Sequence, residues 1–252
     1  MASFADHGTA SLIANAATQP MLLRHDRWRL PVTLEDGCYG GTYVASPHSA
    51  YVLYARDEID IIGLKAGGTL AHGVLGVMDL LMRAISMGRT VHLDNWLLST
   101  NLHGEWKGEG LPRMRALLTE RFPEHFVVLR SLEDWSSPEL LRAVKDDGWI
   151  LLPSRQIWVT DDMRSQWKKR NSTQNDRRAL NKSGLVVDDA ADITPADAER
   201  IAELYRQLYI GRYSAINPVF TPRFIAEAAR SGLLTFRLVR DGEGRIMAAS
   251  GI

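Results

Sequence analysis

The sequence predicts a mixed α/β (α+β) fold, and three observations support that prediction. Short runs of aromatic and β-branched residues, bounded by Asp-Gly and Ser-Pro, follow Trp28 and are typical of antiparallel strands. Between residues 70 and 87 apolar residues recur at helical spacing. Near the end, two strand-like segments flank Asp241-Gly-Glu-Gly, which favours a hairpin turn. Strands and helices alternating in this order indicate sheets covered by helices.

The first 160 residues are predicted to form strands with returning helices. Residues 1 to 20 are small and polar, and we expect a frayed lead-in or a short helix near residues 10 to 17. The predicted strands are residues 29 to 34, 38 to 45, 50 to 56 with an extension to 62, 90 to 94, 126 to 130, 149 to 153 and 155 to 160. The predicted helices are residues 70 to 87 with Gly88 as C-cap, 112 to 122, and a helix that starts after Ser137 and ends at Gly148.

Residues 161 to 183 differ in composition from what precedes them. After Met163 they contain seven basic residues and one acidic residue, which is typical of a solvated helix or a helical linker. A short strand is predicted at residues 185 to 188. Thr194-Pro195 and Thr221-Pro222 each open a helix, and residues 233 to 239 and 245 to 252 are predicted to be the strands of the closing hairpin.

Composition limits the classes of function. The 252 residues include 30 basic and 30 acidic side chains, so no global charge attracts nucleic acid or a membrane. Because Cys38 is the single cysteine, an internal disulfide framework and a multi-cysteine metal site are excluded. The seven histidines are scattered without ligand spacing, and we expect no metal. No segment has the length of a membrane span, and we expect a cytoplasmic protein.

Two stretches are candidates for binding a substrate. Polar side chains and an indole follow the predicted buried strand 90 to 94, at the end of a strand where α/β sheets hold ligands. They are Asp94, Asn95, Trp96, Ser99 and Asn101. Such residues are also ordinary caps and turns, and that alternative stays open. The second stretch contributes Tyr209, Tyr213 and Asn217. Tyr205 and Tyr209, four residues apart on the predicted helix, are more often core residues, so Tyr213 and Asn217 are the better candidates.

The second half resembles the GNAT acyltransferase superfamily. The resemblance lies in Arg177-Arg-Ala-Leu-Asn-Lys-Ser-Gly-Leu-Val-Val, in Leu-Tyr-Arg-Gln-Leu-Tyr at residues 204 to 209, and in Gly244-Arg-Ile-Met-Ala-Ala-Ser-Gly. It covers residues 160 to 252 and is strongest with the tandem branch that includes Fem-type aminoacyl transferases. Residues 28 to 160 resemble the additional N-terminal half of such proteins.

The resemblance implies two GNAT-like halves. The expected domains are a lead-in (1 to 27), a first half (28 to 160), a basic linker (161 to 183) and the first part of a second GNAT domain (184 to 252). In the family, the strand matching residues 245 to 252 pairs with the pantetheine arm of acyl-CoA, which implies a cofactor-binding role for Met247, Ala248, Ala249 and Ser250. The pyrophosphate loop of the family would follow Ile252, so we expect either an incomplete chain, which the ending within a strand favours, or a degenerate relative of the family. The resemblance identifies no catalytic residue in this sequence.

The resulting functional hypothesis is N-acyl transfer from acyl-CoA, such as acetyl-CoA, to a small-molecule or peptide amine. The alternative is a non-catalytic GNAT-like binding module, or Fem-type aminoacyl transfer with aminoacyl-tRNA, that uses the basic helix to engage an anionic partner. The closing strand is expected to be an edge with an unpaired side, which favours association between chains.

Overall fold

The computed structural model describes residues 2–37, 39–64, 67–190 and 192–252. The chain divides into two compact units. The first comprises Met1–Leu152 and Tyr205–Thr221, and the second comprises Pro153–Leu204 and Pro222–Ile252. Each unit contains helices and a β-sheet, so the predicted mixed α/β fold is confirmed. The domain boundaries predicted from the sequence stay predictions.

The first unit is built on a four-stranded sheet with the order β1-β2-β3-β4. Strands β1, β2 and β3 are antiparallel neighbours, and β4 is parallel to β3. In chain order its elements are α1 (Ala2–His7), a 3₁₀ turn (Thr9–Ser11), β1 (Gln19–His25), β2 (Trp28–Asp36), a π-helical segment (Ser49–Leu53), α2 (Tyr54–Ile62), α3 (Gly68–Ala84), β3 (Arg89–Leu93), α4 (Leu111–Arg121), β4 (Phe126–Val128), α5 (Pro138–Asp146) and a second π-helical segment (Arg206–Tyr213).

The two faces of this sheet differ in chemistry. Val32, Val91 and Leu93 lie on one face and form the main apolar cluster with buried side chains of α4 and α5. On the other face, Thr33 lies opposite His92, and Glu35 lies opposite Thr90. All four of these side chains are also buried. Burial raises the pKa of Glu35 to about 7, with the charge of Asp36 adding to the effect. Burial, with a contribution from Arg130, lowers the pKa of His92 to about 3.

The N-terminal residues are an integral part of the first unit, so the predicted frayed lead-in is wrong. Leu12, Ile13 and Ala16 are at most 1 % exposed. The Asn15 side chain donates to the carbonyl oxygens of Ala215 (3.0 Å) and Asn217 (2.8 Å) and accepts from the amide of Val219 (2.9 Å). These contacts come from residues distant in sequence, and local composition therefore gave no sign of them.

Several other predictions for this unit are wrong. Strand β1 was not predicted. It pairs with β2 on the side away from β3, so the antiparallel neighbours in the sheet are β1, β2 and β3. Cys38 lies outside the described residues, and residues 39 to 45 form a loop rather than a strand. Residues 50 to 62 are helical, because the 3- and 4-residue spacing of the apolar side chains outweighs the β propensity of the tyrosines. Helix α3 ends at Ala84, with Ile85 rather than Gly88 as C-cap.

Other predicted elements of the first unit are present, with two differences. Helices α3, α4 and α5 and strand β3 lie where they were predicted, and Ser137 is the N-cap of α5. Strand β4 is present but lies at the edge of the described sheet, not in its interior. The predicted strand pair at residues 149 to 160 is wrong, because among the described residues this segment is extended without ladder partners, and Trp158 is 88 % exposed.

The second unit contains a three-stranded antiparallel sheet with the order β5-β6-β7. Its elements are α6 (Met163–Trp167), α7 (Asn171–Lys182), β5 (Val186–Ala190), most of α8 (Pro195–Tyr205), α9 (Pro222–Arg230), β6 (Phe236–Arg240) and β7 (Ile246–Gly251). Strand β5, helices α8 and α9 and strands β6 and β7 were predicted, whereas the single solvated helix or helical linker predicted for residues 161 to 183 is divided into α6 and α7. The Thr194 hydroxyl accepts from the amide of Asp197 at 3.1 Å, which confirms Thr194 as a cap.

Candidate functional site

The loop after β3 is held by its own polar side chains. Asp94 and Leu97 have positive φ angles of 52° and 58°, so the chain turns sharply where the strand ends. The Asn101 amide donates to the carbonyl of Asp94 at 2.7 Å, and its oxygen accepts from the amide of Trp96 at 2.8 Å. The polar groups that made this loop a candidate site therefore fix its shape.

Asp94 also forms a buried ion pair with His103. Asp94 Oδ2 lies 2.8 Å from His103 Nδ1, and the carbonyl of Arg130 lies 3.0 Å from Nε2. Both partners are hydrogen-bond acceptors, so each ring nitrogen of His103 faces an acceptor. The second carboxylate oxygen of Asp94 accepts from Trp96 Nε1 at 3.1 Å. Because the side chains of Asp94 and His103 are 2 % and 3 % exposed, this pair is a structural element and not a base open to substrate.

Asn95 connects the loop to its surroundings. Its amide donates to Thr33 Oγ1 and to the carbonyl of Val44, both at 2.9 Å. Its oxygen accepts from Arg130 Nη1 at 3.3 Å. The same guanidinium donates to the carbonyl oxygens of Leu98 (2.9 Å) and Ser99 (3.3 Å), so Arg130 holds the tip of the loop in place.

The candidate site is a tyrosine cluster that we define as Tyr43, Tyr54, Tyr205, Tyr209 and Tyr213. The ring centroids of Tyr43 and Tyr54 are 5.0 Å apart, and those of Tyr205 and Tyr209 are stacked at 4.6 Å. Tyr213 lies 6.2 Å from Tyr209. Tyr209 and Tyr213 lie within the second π-helical segment, and Tyr54 directly follows the first. Two π-helical segments in one unit are unusual, and such segments occur frequently at functional sites.

Ser99 joins the loop after β3 to the tyrosine cluster. Its side chain is hydrogen-bonded to Tyr205, which brings together two stretches selected from the sequence. Burial raises the pKa of Tyr205 far above its ordinary value, and the nearby Tyr43 and Tyr209 add to this, whereas the bond to Ser99 acts in the opposite direction. The Tyr205 hydroxyl therefore stays protonated and can donate a hydrogen bond.

The residues selected from the sequence fall into two groups within the first unit. Asp94, Asn95, Asn101 and Asn217 are buried. Asn217, like the others, is engaged internally, since its amide donates to the carbonyls of Tyr209 and Ser214, both at 3.1 Å. The other group reaches solvent and consists of Trp96, Ser99, Tyr209 and Tyr213, of which the two tyrosines are 42 % and 46 % exposed. Ligand contact by either group stays a prediction.

Sequence reasoning missed Tyr43, Tyr54 and Arg130 as neighbours of this site. Tyr43 and Tyr54 had been assigned to strands, so their convergence with Tyr205 had no visible signal. For Arg130 a signal was available, because it follows β4, and adjacent parallel strands bring their carboxyl ends to the same edge.

Strand β7 in the second unit has a free backbone edge among the described residues. Thr235 and Ile252 exchange both backbone hydrogen bonds, at 2.8 and 2.9 Å. Since hydrogen-bonded and non-hydrogen-bonded pairs alternate, Ala248 and Ser250 direct their backbone groups at β6, and Ala249 directs its groups away. Met247 is the extra residue of a β-bulge, a feature that is common beside functional sites.

Helices α6 and α7 carry cations without acidic partners. None of the seven basic side chains at residues 164 to 182 forms an ion pair with a described residue. They are Arg164, Lys168, Lys169, Arg170, Arg177, Arg178 and Lys182. By contrast, five other arginines of the same unit are all ion-paired, namely Arg200, Arg230, Arg237, Arg240 and Arg245.

Searches for other kinds of site and for relatives gave no positive result. Over the described ranges, no group of three or more His, Cys, Asp or Glu side chains is arranged to hold a metal ion. Within the same part of the chain, every helix is too short or too polar to span a bilayer. Compared with known proteins, the chain matches no family model, no curated protein and no solved structure at a significant level.

Proposed function

We propose that the protein takes part in N-acyl transfer of the GNAT type, from an acyl-CoA to an amine. The observation that carries this proposal is the free edge of β7. An extended chain containing amides, such as the pantetheine arm, can pair with an exposed strand through main-chain hydrogen bonds. Ala249 offers such groups, and the bulge at Met247 interrupts the regular ladder beside it.

The tyrosine cluster, which lies in the first unit, has features suited to binding an amine. Aromatic faces attract an ammonium group, and Tyr209 and Tyr213 present rings to solvent. In the transfer, the amine nitrogen attacks the thioester carbonyl, the C–N bond forms and the C–S bond breaks. The proton lost by the amine is taken up by the departing thiolate, directly or through a protein group. Within this cluster, the protonated hydroxyl of Tyr205 can donate a hydrogen bond.

The donor part is tested by isothermal titration of the protein with acetyl-CoA. Ala249→Pro removes one outward amide N–H, and loss of one hydrogen bond should weaken binding about fivefold. Ala249→Val is the matched control, because it keeps the amide and suits an edge strand. Thermal melts should show that both variants are folded. Equal affinities of Ala249→Pro and Ala249→Val, or no binding of acetyl-CoA at millimolar concentration, would overturn the role of β7.

The second candidate function is binding of a polyanion by helices α6 and α7. It is favoured by the seven basic side chains that lack acidic partners among the described residues, since a protein that binds phosphates needs cations that are not neutralised internally. Trp167 adds an aromatic surface, over which the Arg170 guanidinium lies at 4.2 Å from the ring centroid.

The matched experiment compares two triple variants of equal charge change. Lys168, Lys169 and Arg170 are replaced by Ala in one, and the ion-paired Arg230, Arg237 and Arg245 are replaced by Ala in the other. With a single-stranded RNA 20-mer as probe, the first variant should lower the slope of log K against log salt by about 2. The second variant should bind like the unaltered protein. Equal losses in both would indicate a general charge effect and contradict the assignment to the basic helices.

A further inference from the structure

Helices α2 and α3 expose a large apolar surface, which we call the α2–α3 face. Nine aliphatic side chains there are between 47 % and 73 % exposed. They are Ile61, Ile62, Leu64, Leu70, Val74, Val77, Leu80, Leu81 and Ile85. Single exposed apolar residues are ordinary, but a contiguous patch of this size marks an interaction site.

Helix α3 is oriented with its polar ridge against the protein. Asp79 binds the fully buried His48 at 2.6 Å and Arg83 at 2.7 Å. Leu70, Val74, Val77 and Leu81 follow one another at 4-, 3- and 4-residue intervals, so they form one stripe on the side of the helix opposite Asp79. The apolar stripe of α3 therefore faces away from the protein, whereas a helix that covers a core turns its apolar side toward that core.

The α2–α3 face is not flat, because a groove runs between the two helices. Its volume is about 510 Å³, and its lining includes Ala55, Ile59, Ile62, Leu70 and Val74. Such a groove can receive aliphatic side chains of a second helix. The 3- and 4-residue spacing of the stripe is the spacing with which helices interdigitate.

The exposed area fits the requirement of a dimer. Full burial of an aliphatic side chain is worth about 1.5–3 kcal/mol at about 25 cal/mol per Å², which corresponds to roughly 100 Å² per side chain. On that scale the α2–α3 face offers about 500 Å² per copy. Two copies together reach the roughly 1,000 Å² at which specific interfaces begin.

The charges around the face disfavour an anionic partner. Asp57, Glu58 and Asp60 lie on α2 beside the apolar residues, and the stripe on α3 contains no charged side chain. Helices that lie on anionic membranes carry Lys and Arg on their polar face, whereas the polar ridge of α3 is turned toward the protein. An apolar, self-matching surface is the kind that a two-fold axis pairs with itself.

We propose that the α2–α3 face is the interface of a homodimer, in which the stripe of one copy packs against the α2–α3 face of the other about a two-fold axis. The interface excludes water from the nine aliphatic side chains. Of the acidic residues of α2, Glu58 lies in the lining of the groove, whereas Asp57 is hydrogen-bonded to Ser214 and Asp60 to His72. This inference does not depend on the proposed enzymatic or anion-binding activity.

Sedimentation equilibrium tests the proposal on three versions of the full chain. The unaltered protein should be dimeric at about 10 µM, and the double variant Val74→Glu, Leu81→Glu should be monomeric, because two buried charges per copy abolish the interface. The control Ile157→Glu, Val159→Glu adds the same charge to exposed aliphatic positions of the second unit and should leave the dimer intact. Circular dichroism melts should show that both variants retain the fold.

Three results would overturn the proposal. A monomeric unaltered protein at 100 µM would contradict it directly. A dimer that persists in Val74→Glu, Leu81→Glu but dissociates on Ala249→Pro would assign association to the edge of β7. A monomer that co-sediments with phosphatidylcholine vesicles, and loses this property in Val74→Glu, Leu81→Glu, would identify the face as a membrane surface instead.

Discussion

The loop after β3 and the helices α6 and α7 are both rich in polar residues, but they use them in opposite ways. In the loop, Asp94, Asn95 and Asn101 are buried, and their side chains are hydrogen-bonded within the protein. In the helices, the cations meet no carboxylate of a described residue. Polarity in the sequence therefore does not separate structural side chains from those available to a ligand. The distinction lies in whether a partner is already present inside the chain.

The largest effect is expected from Asp94→Ala. It leaves His103 Nδ1 and Trp96 Nε1 without their hydrogen-bond partner in a buried site, which should lower the free energy of unfolding by about 3–5 kcal/mol. Urea denaturation measures this change. Asp94→Asn keeps the shape but replaces one of the two acceptor oxygens by a donor, so it should lose part of this stability, and Asp134→Ala, at an exposed position, is the control. A loss below about 1 kcal/mol would contradict the structural role of the pair.

A smaller effect is expected from Glu35→Gln, and it depends on pH. Unfolded Glu35 releases its proton near 4.5, whereas the folded protein holds it until about pH 7. Between these values the folded state binds more protons, so stability falls as pH rises. At pH 8 the free energy of unfolding of Glu35→Gln should exceed that of the unaltered protein by about 3 kcal/mol, and at pH 4 the two should be equal.

The measurement is a series of urea denaturations from pH 4 to 8, with Glu105→Gln at an exposed position as control. His92 acts in the opposite direction, because its pKa is lowered to about 3 and stability rises with pH between about 3 and 6.5. This contribution is common to both proteins, so their difference isolates Glu35. A difference that is constant across the series would show that Glu35 does not titrate in this window.

A loss of stability smaller than these two effects is expected when Arg240, a cation of the second unit that is paired with Asp197, is replaced. Arg240 donates to Asp197 at 3.0 Å and to the carbonyl of Gly244 at 3.1 Å, and both charged side chains are mostly buried. Arg240→Gln should lower the free energy of unfolding by about 1 kcal/mol. Denaturation at 1 M NaCl should reduce this difference, since salt screens the ion pair.

The smallest effect is expected from Lys168→Gln with Lys169→Gln. Neither ammonium group has a carboxylate partner among the described residues, so the free energy of unfolding should change by less than about 0.5 kcal/mol. The same double variant should weaken binding of a polyanion if α6 and α7 bind one. A clear loss of stability would show that these lysines are structural, and it would remove the contrast with the loop after β3.

Regular elements could be predicted where periodicity and turn chemistry agreed. Helix α3 followed from its apolar spacing, and the hairpin of β6 and β7 followed from Asp241-Gly-Glu-Gly. Helix α2 was missed because tyrosine and valine have high β propensity, which was given more weight than the 3- and 4-residue spacing of the apolar side chains. Strand β1 was missed because residues 19 to 25 alternate weakly, and their pairing with β2 depends on the turn at Asp26 and Arg27.

The candidate site could be predicted in part. The end of β3 was identified because strand ends gather polar residues. Tyr213 was identified as an aromatic residue of a loop, and Tyr209 as a member of the same group of tyrosines on the preceding helix. The hydrogen bond between Ser99 and Tyr205 could not be foreseen, because it joins segments about a hundred residues apart. That the side chains of Asp94 and Asn101 form hydrogen bonds within the protein also depends on the positive φ of Asp94 at the strand end, and composition does not reveal that angle.

Residues Tyr205–Thr221 belong to the first unit although they are far in sequence from its other residues, and this affects how the protein folds. The Asn15 side chain meets the carbonyl of Asn217 across 202 residues of chain. During synthesis, Leu12 and Ile13 must therefore wait for the later segment before the core around them can close. Contacts of such long range slow folding and prolong the exposure of apolar side chains. The N-terminal half cannot be completed as an early, separate folding step, and its last contacts are found only after most of the chain has been made.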